Sequence, residues 1–267
     1  ARQGISLPQG CRFVPPYVHI AVTEGSDAAP MQTELVFRTG PDELQLFRLG
    51  AVKGFTVLIN GFLWHGDPGT GAGQGGWAIG YARGLDVGSG RGRLTIGDNT
   101  WQKRTPGQLQ QQTQRTAGTG RKRVVRFATD QRQSSWDTRT DAQSNWPDNP
   151  VVLSSSTSIV RDGQCAQDAL TTRWSAFGTD GKGRSVFISS TSQGRTHVDE
   201  LCRVFLALGI PNAIRLDGGP SATMTIEGRL LNPLVSLSHL MAFGPARYVI
   251  DGVGARAIMN AERGKER

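Results

Sequence analysis

The hydrophobic and polar positions of this chain fall into short runs, most of them with the character of β-strands. Val18-His19-Ile20-Ala21-Val22 and Glu34-Leu35-Val36-Phe37 are two such runs, bounded by Gly, Pro and Ser. Phe55-Thr56-Val57-Leu58-Ile59 is almost continuously apolar, which predicts a buried strand, and it stops at Asn60-Gly61. Val151-Val152-Leu153 and Ser158-Ile159-Val160-Arg161 lead to the turn pair Asp162-Gly163. Trp174 to Thr179 and Arg184 to Ser189 flank Asp180-Gly181-Lys182-Gly183, the pattern of a hairpin. The period then changes. Val198, Leu201, Cys202, Phe205, Leu206 and Leu208 recur at helical spacing. Thr196, with Asp199 three residues on, predicts the cap at the start of that helix, and Gly209 and Pro211 predict its stop. Ala213-Ile214-Arg215-Leu216 reads as a strand that delivers Asp217 to its end, and Ala222 to Ile226 reads as another. Helical spacing among many strands points to an α+β fold of mixed, strand-rich sheets with a few packed helices.

Composition narrows the class. Of 267 residues, 35 are Gly and 13 are Pro, with 37% apolar and 19% charged. That excludes a long coiled coil, a collagen repeat and a chain too polar to fold. We read residues 1–267 as a single domain with a polar, basic insertion at about 102–149. The insertion holds a Gln cluster (Gln108, Gln110, Gln111, Gln112, Gln114), then Arg121-Lys122-Arg123 and Arg126, with Val124 to Thr129 as a strand inside it. Residues 66–98 are rich in glycine, most closely spaced at 66–76, and predict a surface loop followed by weak strands. A net charge of +8 favours anionic partners such as phosphate-bearing glycans or a wall polymer. No stacking-aromatic pattern of a nucleic-acid fold accompanies it, so nucleic acid is not the expected partner. No apolar run is long enough to span a membrane. The chain opens at Ala1 without an initiating Met, as a processed or trimmed product would, and this is compatible with secretion. Cys11, Cys165 and Cys202 allow one disulfide at most, and their spacing does not say which pair closes.

The densest chemistry is Asp217-Gly218-Gly219-Pro220-Ser221-Ala222-Thr223-Met224. A carboxylate at a strand end is followed by two glycines that let the backbone turn tightly and approach a ligand. Their N–H groups could form a nest for an anion, and Ser221 and Thr223 share a face if the segment is extended. The segment from Glu200 through Leu208-Gly209 and Asn212-Ala213-Ile214-Arg215-Leu216-Asp217 to Met224 resembles the phosphodiester glycosidase family. So do Val57 to Leu63, Ser158 to Gly163, Trp174 to Gly178 and Arg247 to Gly252, all in the family's order. The likeness runs from about residue 50 to 255. Pro220 and Ala222 depart from the family's DGGGSST run. Trp174 stands where the family carries an Arg, with Arg173 one residue before it.

The resemblance implies a phosphodiester-glycosidase-like fold and cleavage between an anomeric carbon and a phosphate oxygen. Negative charge would grow on the departing phosphate. Asp217 is then the expected nucleophile or base, with Asn60, His65 and Asp251 as further catalytic candidates. Gly61, Gly218, Gly219, Ser221, Thr223, Arg173 and Arg247 are the expected substrate-binding positions. Asp67 is a weaker candidate beside His65. His197 and His239 are expected to be structural or exposed, and Asp180 to serve its own turn. No cofactor is required, although Asp217 could also hold a divalent cation such as calcium. The expected partner is a carbohydrate or phosphoglycan, the expected location secreted, periplasmic or cell-surface, and an oligomer is open. Two other functions compete. One is hydrolysis of ordinary glycosidic bonds in an acidic polysaccharide, which needs a second acid near Asp217. The other is a non-catalytic module that binds glycan or another anionic polymer.

Overall fold

The computed structural model describes residues 18–25, 31–37, 54–61, 64–65, 77–78, 82–87, 92–96, 101–104, 108–111, 125–129, 134–137, 151–155, 158–166, 171–191, 196–219, 222–231 and 251–257. Two sheets dominate them. The smaller has six strands in the order Val18–Glu24, Arg184–Ser190, Ser175–Thr179, Asn212–Arg215, Ser158–Arg161 and Gln164–Cys165. Every pairing in it is antiparallel. The larger has ten strands, with Met31–Phe37, Asp251–Ala257, Phe55–Asn60 and Met224–Ile226 side by side near its middle. It is mixed, because Met31–Phe37 runs parallel to Ala82–Asp86. Two further sheets, of two and four strands, complete the described part.

The strand period explains how the two sheets pack. Phe177, Phe187, Ile214 and Leu216 of the smaller sheet meet Leu35, Phe37, Val57, Ile59, Met224, Val253 and Ala255 of the larger in one apolar layer. The rings of Phe177 and Phe187 lie 5.2 Å apart at a tilt of 45°, a favourable offset for aromatic pairs. The alternate residues Ala176, Val186, Ile188 and Ala213 point to the other face and pack against the helix through Val198, Leu201, Val204 and Phe205. The smaller sheet is therefore covered on both sides, so its strands read as continuous apolar runs rather than a clean alternation.

The helix spans Val198–Ala207. Its cap is His197, one residue later than Thr196, the position expected from the sequence. The His197 imidazole accepts from the Asp199 N–H at 3.3 Å, and Glu200 accepts from the His197 N–H at 3.3 Å. The reason is local. Thr196 and His197 first pair with Thr172 and Thr171 as a short strand, which delays the helix by one residue. Leu206 also falls off the buried stripe and is 37% exposed. The helix ends as the glycine signal predicts. Gly209 takes φ +74° and donates to Leu206 O, while Ile210 donates to Phe205 O, the double bond pattern of a Schellman stop.

Two strands of the 102–149 segment, Val125–Thr129 and Ser134–Asp137, belong to the larger sheet. Val125–Thr129 pairs with Val151–Ser155, which in turn pairs with Ala82–Asp86. Cys165 and Cys202 form a disulfide that ties the edge strand Gln164–Cys165 to the helix. Cys11 lies outside the described residues. Among the described residues no helix is long and apolar enough to cross a membrane.

Candidate active site

The site lies at the seam where strand ends of the two sheets meet. Asn60 is the last residue of Phe55–Asn60 in the larger sheet, and Asp217 follows the end of Asn212–Arg215 in the smaller. The two motifs singled out in the sequence clasp each other. The Asp217 N–H donates to Gly61 O at 3.0 Å. The Asp217 carbonyl accepts from Asn60 Nδ2 at 2.6 Å. Both backbone polar groups of Asp217 are thus held by one dipeptide.

Asn60 is 1% exposed, and its carboxamide is engaged within the protein. Oδ1 accepts from Ser175 Oγ at 2.5 Å and from the Thr223 N–H at 3.1 Å. A backbone N–H can only donate and a carbonyl can only accept, so these partners force one orientation of the amide. Asn60 N also donates to Thr223 O at 3.3 Å, which extends the ladder between the strands Phe55–Asn60 and Met224–Ile226 by one residue.

The loop after Asp217 is shaped by its glycines. A Cβ on Gly218 would sit 2.5 Å from the Arg173 carbonyl oxygen, and Gly219 takes φ +57°, a region that favours glycine. The N–H groups of these two residues are not arranged as the sequence reading expected. Gly218 N donates to Asp217 Oδ1 at 3.0 Å and Gly219 N donates to Arg173 O at 3.0 Å. Both donors proposed for a departing phosphate are therefore engaged, one by the Asp217 side chain and the other by the Arg173 carbonyl.

Arg173 brackets the same loop. Its carbonyl takes Gly219, and its Nη2 reaches over to the Ala222 carbonyl at 3.1 Å. Among the described residues, Arg173 Nε and Thr223 Oγ1 are buried with no hydrogen-bond partner. Burial lowers the pKa of the Arg173 guanidinium from its ordinary value, because water is stripped from a charge. It remains cationic at neutral pH. Trp174 turns to the opposite face. Its ring packs in the helix-side core, its Nε1 donates to Thr196 O at 2.5 Å, and Arg215 lies 5.1 Å above the ring. The arginine one position earlier therefore faces the Asp217 loop, and the tryptophan serves packing.

The remaining candidates divide. The strand Asp251–Ala257 pairs Gly252 with Asn60, so the Asp251 backbone arrives at the same strand end, but its side chain lies outside the described part. His65 sits in the short strand Trp64–His65 of the four-stranded sheet, and its side chain is likewise outside it. Ser221, Arg247, Asp67 and His239 lie outside the described residues. Asp180 serves its turn, accepting from the N–H groups of Lys182 at 2.7 Å and Arg184 at 3.0 Å. His197 caps the helix. Among the described residues no group of three or more His, Cys, Asp or Glu is placed to hold a metal ion. The sequence reading missed Ser175. Its only signal is a small polar residue opening an otherwise apolar strand.

The same arrangement of sheets occurs in solved structures. The catalytic domain of zebrafish N-acetylglucosamine-1-phosphodiester alpha-N-acetylglucosaminidase, auto-inhibited by its pro-peptide, matches with a TM-score of 0.52 at 14% identity, over 90% of this chain and 84% of that one. A Burkholderia pseudomallei protein described as exported matches with a TM-score of 0.50 at 12% identity, over 90% of this chain and 73% of that one. These likenesses define the fold. No curated protein matches the chain at a significant level. The family model of the phosphodiester glycosidases matches residues 95–255, more than half of the chain. The chain belongs to the phosphodiester glycosidase family.

Proposed function

We propose that this protein hydrolyses the bond between the anomeric carbon of a sugar and a phosphodiester oxygen, releasing free sugar and a phosphomonoester. The observation that carries this reading is the clasp of Asn60-Gly61 on Asp217, with Arg173 folded around the following loop. A carboxylate whose backbone is clasped on both sides, and a partly desolvated cation folded around the loop that follows it, suit a reaction in which positive charge grows on a sugar ring and negative charge on a leaving phosphate. Arg173, not the glycine N–H groups, is the donor that faces the leaving anion. A phosphate oxygen at its Nε would offset the burial of the guanidinium. The Thr223 hydroxyl is a second donor for the same anion. Phosphate is a good leaving group, so the reaction needs little help from an acid. Asp217 attacks the anomeric carbon or activates water to do so. Asn60 acts through the loop and not on the sugar, because its amide is already committed. His65, Asp251, Ser221 and Arg247 complete the site in this reading, and no cofactor takes part. Treatment with EDTA should leave turnover unchanged.

The proposed substrate is a phosphate-linked glycan outside the cytoplasm. The Cys165–Cys202 disulfide supports that location, since such bonds persist in oxidising compartments. The test is incubation with a panel of alkyl sugar-1-phosphodiesters, followed by phosphorus NMR for the alkyl phosphomonoester and by assay of free sugar. Release of both products by the parent protein, and its loss in Asp217→Asn, is the expected result. Full activity of Asp217→Asn would overturn the role given to that carboxylate. Cleavage of an acidic polysaccharide with no action on the phosphodiesters would turn the reading to ordinary glycoside hydrolysis.

A further inference from the structure

We infer that Ser175 is a positioning residue for Asp217, acting through the carboxamide of Asn60. The inference rests on the site reading above. Ser175 opens the strand Ser175–Thr179 and is fully buried. Its cross-strand neighbour is Ser189, and beyond that lies His19. Two residues further along, the positions on the same face are Phe177 and Phe187, both in the apolar layer between the sheets. That layer is greasy until it reaches the seam, and there it turns polar. Packing alone would accept Ala or Val at position 175, so the hydroxyl needs another explanation.

Its contacts supply one. Ser175 Oγ donates to Asn60 Oδ1, and that amide donates to the Asp217 carbonyl. The Ser175 carbonyl accepts from the Leu216 N–H at 2.8 Å, one residue before Asp217. One residue therefore reaches Asp217 by two routes: through the backbone on its N-terminal side, and through Asn60 at its carbonyl. The backbone route survives any substitution. The side-chain route does not. Without the hydroxyl, Asn60 Oδ1 keeps only the Thr223 N–H, and the amide that holds Asp217 is free to rock. The carboxylate then samples more positions. An effect of this kind lowers the rate of reaction more than it weakens binding.

Amide hydrogen exchange and kinetics on Ser175→Ala, Ser175→Cys and Ser175→Thr test this. The Thr223 N–H is the reporter, because it shares the Asn60 oxygen. It should exchange about tenfold faster in Ser175→Ala, as loss of one buried hydrogen bond implies. The Phe187 and Ile188 amides should be unchanged, and Ser175→Thr should restore the parent value. Ser175→Cys, a weaker donor of similar size, should fall between and serves if the alanine variant does not fold. On a sugar-1-phosphodiester, kcat should fall about tenfold in Ser175→Ala with KM unchanged. The inference is overturned if Thr223 exchange does not change, if Phe187 and Ile188 accelerate equally, or if Thr fails to restore. A parent protein that turns over no sugar phosphodiester would refute the proposed reaction, while the exchange result would still decide the role of Ser175.

Discussion

Removing the Asn60 carboxamide should loosen the seam and show its worth directly. Asn60→Ala deletes three hydrogen bonds: to the Asp217 carbonyl at 2.6 Å, from Ser175 at 2.5 Å and from the Thr223 N–H at 3.1 Å. The first two contribute about 1 kcal/mol each, and a buried Thr223 N–H left without a partner costs roughly 2 kcal/mol. The loss is about 4 kcal/mol. For a chain of this size that is a fall of about 8–16 °C in Tm by thermal denaturation. Asn60→Asp is the sharper control. It keeps an acceptor for Ser175 and Thr223 but sets a carboxylate oxygen against the Asp217 carbonyl, where an N–H had been. Burial and the facing oxygen should hold the new carboxyl protonated to higher pH than in the unfolded chain. Relative to the parent, the variant should then be stable below about pH 4 and lose stability as pH rises above it. A Tm within 2 °C of the parent for Asn60→Ala, or an Asn60→Asp penalty that ignores pH, would refute the clasp as described.

Three other outcomes follow from the same structure. Burial lowers the His19 pKa, although a hydrogen bond with the Leu231 backbone opposes the shift. The unfolded chain therefore binds more protons, and stability should fall as pH drops through about 6.5 and level off below the folded pKa. Urea unfolding of His19→Gln against the parent should remove that part of the slope. Reduction of Cys165–Cys202, which closes a separation of 37 residues, should cost roughly 4 kcal/mol of stability by loop entropy, read as a lower urea midpoint in dithiothreitol. Gly218→Ala should displace the loop, because its Cβ would meet backbone 2.5 Å away. Gly219→Ala meets only open space but strains a positive φ, so it should destabilise by about 1 kcal/mol. If differential scanning calorimetry ranks Gly219→Ala above Gly218→Ala in damage, the described loop is wrong.

The strand pattern of the smaller sheet was legible because its apolar runs are short and bounded by turn residues. The hairpin of Ser175–Thr179 and Arg184–Ser190, the Asp162-Gly163 turn and the Gly209 stop all depend on neighbours in sequence. Both halves of the candidate site were legible as motifs. Their contact was not, because nothing local in Asn60-Gly61 says that it will meet Asp217. The cap moved from Thr196 to His197 for the same kind of reason, since a pairing with Thr171 and Thr172 intervened. The engagement of the Gly219 N–H depends on a carbonyl at Arg173, far away in the chain. Ser175 carried no chemical signal of its own, and its role appears only once Asn60 is beside it.

The seam has a consequence for how the protein comes into being. Asn60 meets Asp217 across 157 positions and Thr223 across 163. Contacts that close such long loops tend to form late in folding. The smaller sheet by itself holds Asp217 only at its flanks, through Leu216 and Gly219 on the Ser175 and Arg173 carbonyls, and the docking of the larger sheet supplies the clasp. A half-folded chain would therefore carry the carboxylate but not its setting. The same holds for a fragment cut to residues 95–255, the span that marks the family. It would keep Asp217 and lose Asn60-Gly61, so family membership could be read from a piece in which Asp217 has lost its clasp.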